Sequence, residues 1–434
     1  LKRIATKDGR LKSFATVTEG LARKQAKKAE REIQRGRIRG PLHGVPIAVK
    51  DLCYTRGIPT AAGMTIHKEF KPKFNATVVR RFVDAGAVLL GKLQMTEGAF
   101  AEHHPDIVPP VNPWNRAHWT GVSSSGSGVA TAAGLCFASL GSDTGGSIRF
   151  PSAANGVTGL KPTWGRVSRH GVFDLAPTLD HVGPMCRTAA DTGAVLGVIA
   201  GADGNDPTAS PMPVPNYLAG LERGLNGLRI GVDPKYNRPG VDDTMTAALN
   251  AALAVLRTMG ADLRKVTFPE TDEVVDEWSA HCGIETAFAH RDTYPKHKDR
   301  YGAALSGLID LGHSLSATDY QKILLHRHDF CGKVRALFED IDILVIPAQS
   351  AASPTLKQME TLGEDPGELS SLLRFTAPFD LTGSPALTMP AGLTKAGLPV
   401  AIQFVGRHFE EDALVRAGHA YQRETDWHHQ HPAI

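Results

Sequence analysis

Two loops rich in glycine and serine are the segments of this sequence best suited to chemistry. The first reads G-V-S-S-S-G-S-G (121–128) and the second reads S-D-T-G-G-S (142–147). Loops of this kind expose backbone N–H groups that hold an anion or the oxyanion of a reacting carbonyl. In the second loop two glycines allow a ligand to come close, and Ser147 places a hydroxyl beside the same N–H groups. We therefore predict a nucleophile and an oxyanion hole in one turn.

Phosphate binding is the main alternative for these loops. A Walker-type phosphate loop needs a lysine directly after its last glycine, and neither loop has one. The dinucleotide fingerprint needs a third glycine three residues after the second, whereas Gly128 is followed by a glycine only at Gly134. The sequence therefore leaves open that the two loops have only a structural role. A Ser-His-Asp arrangement also stays open, because the chain has 18 His. No serine lies in the G-x-S-x-G elbow that often carries such a nucleophile.

The elements that must position these loops begin with a short apolar run at 47–49. This run is followed by Lys50 and Asp51, and it predicts a buried strand that ends at the lysine. Neighbouring side chains of a strand point to opposite faces, so we expect Asp51 not to pair with Lys50. A helix is predicted over 124–134 and a strand over 136–140, and both lie between the two loops.

The same alternation of helices and strands continues along the chain. Helices are predicted over 17–35, 76–86, 243–259 and within 284–306 and 317–338, and strands over 87–91, 228–232, 263–268 and 341–347. Such alternation is typical of an α/β fold. We predict a single large domain with a twisted mixed β-sheet flanked by helices on both faces. The stretch 202–215, rich in Gly, Pro, Asp and Ser, is interpreted as a surface connection within it.

Composition excludes several classes of protein. The 434 residues include 48 Lys and Arg against 45 Asp and Glu, a formal net charge of +3. This near-neutral balance argues against nucleic acid as a partner. No 18 apolar residues run together, so no membrane span is predicted.

The 5 Cys are odd in number and lack metal-ligand spacing, so we expect buried thiols in a reducing compartment, without disulfides. The chain starts without Met or a signal peptide, and we expect an incomplete amino terminus and a cytoplasmic location.

Five segments of the chain resemble the signature of the amidase signature family of serine hydrolases. They are H-G-V-P-I-A-V-K-D (43–51), the run 121–163 with its centre G-S-D-T-G-G-S-I-R-F-P (141–151), T-L-D-H-V-G-P (178–184), F-D-L-T-G-S-P-A-L-T-M-P-A-G (379–392) and L-P-V-A-I-Q-F-V-G-R (398–407). The resemblance implies an amidase domain over 1–434. Its signature core would span about 40–200 and 340–410, and a more variable helical segment about 205–340. It also implies the amidase signature fold.

The resemblance assigns the chemistry to three residues. Ser147 would be the nucleophile, Ser123 a proton shuttle and Lys50 the base. A cis peptide bond would precede Ser123, although Val122 and Ser125 stand where the family usually has glycine. The oxyanion hole would consist of the backbone N–H groups of Thr144, Gly145, Gly146 and Ser147. A lysine is a base only when neutral, so Lys50 must be buried to lower its pKa.

Nearby polar residues are given structural roles. Asp143 and Arg149 flank the second loop with opposite charges and are predicted to form a pair that braces it. The serines of the first loop beyond the shuttle are interpreted as N-caps of the following helix; they are Ser124, Ser125 and Ser127.

These expectations together describe an amidohydrolase that needs no cofactor and no metal. It would cleave an amide, anilide or carbamate (urethane) C–N bond of a small molecule through an acyl-enzyme on Ser147, acting as a monomer or homodimer. The alternative is the glutaminase subunit of a tRNA-dependent amidotransferase, which shares the signature and hands ammonia to a partner subunit. A third hypothesis is a non-catalytic family member. The presence of Lys50, Ser123 and Ser147 argues against that hypothesis.

Overall fold

One mixed sheet of eleven strands runs through the part of the chain that the structure, a computed structural model, describes: residues 1–362 and 365–434. The strands are β1 (Phe14–Val17), β2 (Pro46–Lys50), β3 (Val88–Leu93), β4 (Ala138–Asp143), β5 (Thr158–Lys161), β6 (His181–Cys186), β7 (Arg229–Val232), β8 (Asp262–Lys265), β9 (Ile343–Pro347), β10 (Ala386–Leu393) and β11 (Pro399–Gly406).

Helices flank this sheet along the whole chain. They are α1 (Lys2–Leu11), α2 (Glu19–Gln34), α3 (Thr77–Asp84), α4 (Ser125–Ala132), α5 (Arg149–Asn155), α6 (Ala189–Ile199), α7 (Pro234–Asn237), α8 (Asp243–Thr258), α9 (Asp272–Asp276), α10 (Trp278–Ala289), α11 (Tyr294–His297), α12 (Ala303–Ser314), α13 (Ala317–Asp340), α14 (Leu356–Thr361), α15 (Pro366–Leu373), α16 (Ala377–Leu381) and α17 (Glu411–Arg423).

The strand order is β1-β3-β2-β4-β6-β5-β10-β11-β9-β7-β8. The strand β2 runs parallel to both β3 and β4, and β7 runs parallel to both β8 and β9. The remaining pairs are antiparallel, including β4 with β6 and β10 with β11. The sheet is therefore mixed, as predicted.

Both faces of the sheet are covered, because successive residues of its central strands belong to different apolar clusters. In β2, Ile47 and Val49 pack into the largest buried cluster, whereas Ala48 packs into a second cluster on the other face. In β3, Leu89 joins the first cluster, and Val88 joins the second. The prediction of one α/β domain with helices on both faces is confirmed.

The predicted elements around the site are present with shifted ends. The helix expected from residue 17 begins at Glu19, because Val17 still belongs to β1 and pairs with Gly91 of β3. The strand expected over 136–140 lies at Ala138–Asp143, because its pairing with β6 continues as far as Asp143. These extensions depend on pairing between strands distant in sequence, which local patterns do not encode.

Four of the cysteines are buried and Cys331 is partly exposed, and all five are free thiols. Among the described residues, none of the helices combines the length and apolar character needed to cross a lipid bilayer.

Candidate active site

Lys50 and Ser142 come together because β2 and β4 are parallel neighbours. Val49 of β2 is in register with Leu140 of β4, so the carboxyl ends of the two strands lie at one edge of the sheet. There the Nζ of Lys50 donates hydrogen bonds to Ser123 Oγ at 2.6 Å and to Ser142 Oγ at 2.8 Å. The side chains of all three residues are buried. An ammonium group at this position is removed from bulk water.

Burial sets the protonation of Lys50. It lowers the pKa of Lys50 from 10.5 to about 7, although the negative charge of Asp143 opposes this shift. Asp51 does not oppose the lowering of the Lys50 pKa, because its carboxylate pairs with Lys92 at 3.0 Å and accepts a hydrogen bond from the Ala61 N–H at 2.9 Å. The expectation that Asp51 does not pair with Lys50 is confirmed.

The first loop places Ser123 between these elements. The peptide bond between Val122 and Ser123 is cis, as the resemblance implied. The backbone carbonyl of Ser123 accepts a hydrogen bond from the Thr96 N–H at 3.2 Å. The loop is also tied to β4, because the Ser124 hydroxyl donates to the carbonyl of Ser142 at 3.1 Å and accepts from the N–H of Ser142 at 3.2 Å.

The N-cap role predicted for the neighbouring serines is confirmed in position for Ser124, which is the N-cap residue of α4, but none of these serines makes a side-chain cap bond. Helix α4 has no side-chain cap at Ser124, whose hydroxyl is engaged with β4. Ser127 donates to the carbonyl of Leu140 at 2.8 Å, and the Ser125 hydroxyl lies 3.0 Å from the Nε2 of His103. The helix consists of small residues and packs on the sheet, so its hydroxyls reach strand carbonyls and loop side chains.

In the second loop Ser147 is partly exposed, whereas the rest of its turn is buried. Over residues 138–155, Ser147 is the only residue that is not buried. Gly146 adopts φ 140°, and a Cβ there would collide with the ring of Phe150. A Cβ at Gly145 would lie 2.5 Å from the ring of Trp278. The turn therefore needs both glycines to bring the backbone under the Ser147 hydroxyl.

Side chains outside the turn hold it by donating hydrogen bonds to its carbonyl groups. The carbonyl of Thr144 accepts from the indole Nε1 of Trp278 at 3.0 Å, and that of Gly145 accepts from the Thr376 hydroxyl at 2.6 Å. Within the described chain, the N–H groups of Gly145, Gly146 and Ser147 have no hydrogen-bond acceptor. Backbone donors fixed in this way are suited to an oxyanion.

A buried carboxylate also holds the start of this turn. The Thr144 hydroxyl donates to Asp180 Oδ1 at 2.6 Å. Asp180 also accepts hydrogen bonds from the N–H groups of Leu175 and Ala176. Burial raises the pKa of Asp180 to about 7, with a further contribution from the carboxylate of Asp174.

The predicted pair of Asp143 and Arg149 is present and fully buried. The guanidinium of Arg149 lies 2.8 Å from Asp143 and 2.5 Å from Asp380. Asp143 also accepts from the N–H of Ile148 at 2.9 Å, which closes the loop around the turn of Ser147. Burial would raise the pKa of Asp143, but the charge and hydrogen bonds of Arg149 bring it below its usual range. The pair braces the loop, as predicted.

Ser147 opens on an apolar cleft with about 600 Å³ of empty space, part of it open to solvent. Its walls come from both loops, from α10 and from the helices α14 and α15. The lining residues are Ala99, Phe100, Ala101, Trp119, Val122, Thr144, Gly145, Ser147, Phe150, Leu175, Trp278, Met359, Leu362, Leu369, Leu372 and Leu373.

Lys50 and Ser123 are thus in direct contact, and Ser147 shares the cleft with Val122, the neighbour of Ser123. In the described part of the chain no hydrogen bond joins Ser147 to Ser123. Ser142 and Asp180 were not predicted as site residues, although both lie in the quoted family segments. Their contacts depend on strand pairing and loop packing, for which the sequence carried no separate signal.

Potential metal ligands do not coincide with this site. Among the described residues one group of three lies close enough to hold an ion, formed by Glu273, Glu277 and His326. These side chains pair with one another, since the Nδ1 of His326 lies 3.2 Å from Glu273 and 3.0 Å from Glu277.

Several known proteins are similar to this chain in sequence or in structure. The Amidase family model matches residues 1–415. AmiD of Mycobacterium tuberculosis (strain ATCC 25618 / H37Rv) is 50% identical over 435 residues, covering 100% of this chain and 91% of AmiD. A glutamyl-tRNA(Gln) amidotransferase subunit of Geobacter sp. (strain M21) is 37% identical, covering 99% of this chain and 93% of that protein. The structure of the native peptide amidase from Stenotrophomonas maltophilia superposes with a TM-score of 0.84 at 31% identity, covering 98% of this chain and 92% of that one.

The chain belongs to the amidase signature family. It is a hydrolase that acts on amide-type C–N bonds.

Proposed function

We propose that the chain cleaves amide, anilide or carbamate bonds with Ser147 as nucleophile, Ser123 as proton shuttle and Lys50 as base. One observation carries the proposal: the Nζ of Lys50 lies 2.6 Å from Ser123 Oγ in a setting that lowers the lysine pKa to about 7. A buried amine with this pKa is neutral in a large share of molecules at neutral pH, and a neutral amine accepts a proton.

Acylation begins with two proton transfers. Neutral Lys50 takes the hydroxyl proton of Ser123, and Ser123 takes that of Ser147. The Ser147 oxygen forms a bond to the substrate carbonyl carbon, and the carbonyl oxygen becomes an oxyanion. The N–H groups of Thr144, Gly145, Gly146 and Ser147 stabilise that oxyanion.

Collapse of the tetrahedral intermediate breaks the C–N bond. The leaving nitrogen receives the proton held on Lys50, relayed through Ser123, and departs as a neutral amine. The acyl group stays on Ser147 as an ester. Water then gives a proton to the same relay and attacks the ester carbonyl carbon. The bond between that carbon and the Ser147 oxygen breaks, and the oxygen takes the proton back from the relay. The released acid is a carbonic half-ester when the substrate is a carbamate.

Small-molecule amides are the proposed substrates, and the chain is proposed to act alone, as a monomer or homodimer. Support comes from structural neighbours described as a peptide amidase and as a 6-aminohexanoate cyclic dimer hydrolase, the latter with a TM-score of 0.89 at 25% identity. The second candidate is a glutaminase subunit of an amidotransferase, which the 37% identity to such a protein favours. That candidate requires glutamine as substrate and a partner subunit that receives the ammonia.

The test is active-site labelling combined with a hydrolysis panel. A fluorophosphonate should add one label, at Ser147, and the purified chain should hydrolyse anilides, aliphatic amides or carbamates. Ser147→Ala should lose both properties. Ser314→Ala, which changes an exposed serine of α12, serves as the matched control and should keep them. Turnover confined to glutamine would favour the second candidate, and labelling at Ser123 would reverse the assignment of nucleophile and shuttle.

A further inference from the structure

The cleft at Ser147 is lined mostly by apolar side chains. Thr144 and Ser147 contribute hydroxyls, and that of Thr144 already donates to Asp180. The indole N–H of Trp278 is bonded to the carbonyl of Thr144. The other lining side chains are aliphatic, aromatic or thioether groups, and among the described residues none of them carries a charge.

From this lining we infer that the cleft selects uncharged substrates in which an aliphatic or aromatic group adjoins the scissile bond. The inference rests on the proposed function, because it takes Ser147 as the attacking group. The apolar group would pack between the wall of Phe150 and Trp278 and the wall of Leu369 and Leu372. Each methylene placed there leaves water, which raises kcat/KM by about fourfold.

The same lining disfavours free glutamine. The α-ammonium and α-carboxylate of glutamine would need counter-charges or several hydrogen bonds once they leave water. The Thr144 hydroxyl of this lining already donates to Asp180, and the Ser147 hydroxyl is the proposed nucleophile. The backbone donors of the turn are the ones that the oxyanion requires. A charged substrate would therefore lose more hydration than the cleft replaces.

One wall of the cleft is separate from the proposed catalytic groups. Helix α15 contributes Leu369 and Leu372, which line the cleft and are partly exposed, whereas Lys50 and Ser123 are fully buried. A change at Leu372 should therefore alter substrate selection without touching the proton relay. Leu356 on α14 is 48% exposed and does not line the cleft, so it provides a matched control position.

The experiment measures kcat/KM for two substrate series and for glutamine. One series lengthens the acyl chain on a fixed aniline from acetyl to hexanoyl, and the other lengthens the amine on a fixed acyl group. We expect a rise of about fourfold per methylene in at least one series, and glutamine turnover at least about a hundredfold below the best anilide. Leu372→Asp should flatten the rising series, and Leu356→Asp should leave its slope unchanged.

Labelling of Ser147 by a small fluorophosphonate distinguishes failure of the inferred substrate preference from failure of the proposed function. If Ser147 is labelled but both series are flat, or glutamine is the best substrate, the inference about the cleft is overturned and the proposed nucleophile stands. If Leu372→Asp leaves the slope intact, the inference is overturned as well. If neither labelling nor hydrolysis occurs, the proposed function fails, and the inference fails with it.

Discussion

The Nζ of Lys50 lies 2.8 Å from the hydroxyl oxygen of Ser142, on the neighbouring parallel strand. A neutral lysine amine has two N–H donors and one lone pair. When one N–H is directed at Ser142, the lone pair is free to face Ser123, 2.6 Å away. Ser142 therefore has the geometry of a positioning residue for the proposed base.

Ser142→Ala should lower kcat by about tenfold, because the amine loses the acceptor that orients it. The same change should move the acid limb of the rate profile to lower pH, since a hydrogen-bond acceptor stabilises the ammonium form and its loss lowers the lysine pKa further. Profiles of kcat against pH for both proteins check this. Ser139→Ala, on the same strand and away from the lysine contact, is the control. An unmoved limb with unchanged kcat contradicts the positioning role.

The wild-type kcat/KM should rise with pH through about 7, where Lys50 loses its proton. Below that pH the neutral form declines tenfold per pH unit, and the rate should decline with it. Burial also raises the pKa of Asp180 to about 7, so Asp180→Asn must be measured beside the wild type. The acid limb should persist in that variant. Its disappearance would assign the limb to Asp180.

Lys50→Met should lower acylation by about 10² to 10⁴-fold, the range for loss of a general base. Lys50→Arg should be nearly inactive at every pH, because a guanidinium does not deprotonate. Single-turnover measurements on one anilide check both variants. Near-normal rates in Lys50→Met would revive a serine–histidine mechanism.

Lys50 should also make stability depend on pH. Its folded pKa of about 7 lies below its ordinary value of 10.5, so between these limits the unfolded chain binds more protons. Wild-type stability should therefore rise with pH across this window relative to Lys50→Met, with a slope of about 1.4 kcal/mol per pH unit. Denaturant unfolding of both proteins from pH 7 to 10 gives the difference. A difference independent of pH would mean that Lys50 is charged in the folded protein.

Arg149→Met should destabilise the protein by about 3–5 kcal/mol, because it leaves the buried carboxylate of Asp143 without its cation and removes the hydrogen bond to Asp380. Arg23→Met removes an exposed pair with Glu19 and should change stability by less than about 1 kcal/mol. Denaturant midpoints of the two variants check the contrast. Equal effects would contradict the proposed role of Arg149 in bracing the turn of Ser147.

Local sequence patterns were enough for part of the site. The apolar run before Lys50 predicted a buried strand, and β2 ends at that lysine. The glycines at 145 and 146 predicted a backbone that a ligand can approach closely beside Ser147, and the backbone there requires them. Alternation along the strand predicted that Asp51 faces away from Lys50, and its carboxylate pairs with Lys92 instead. These features depend on neighbours in the chain, which periodicity and residue type describe.

By itself the sequence determined the α/β class and, through its resemblance to a family, the assignment of Lys50, Ser123 and Ser147 as candidates. Only the tertiary structure decided that Ser142 contacts Lys50, that Asp180 holds Thr144, and that the cleft is apolar. The reason is physical: these contacts join residues 36 to 92 positions apart, and the cleft gathers residues from 99 to 373. Which distant side chains meet is set by strand order and helix packing, and no local pattern in the chain specifies either.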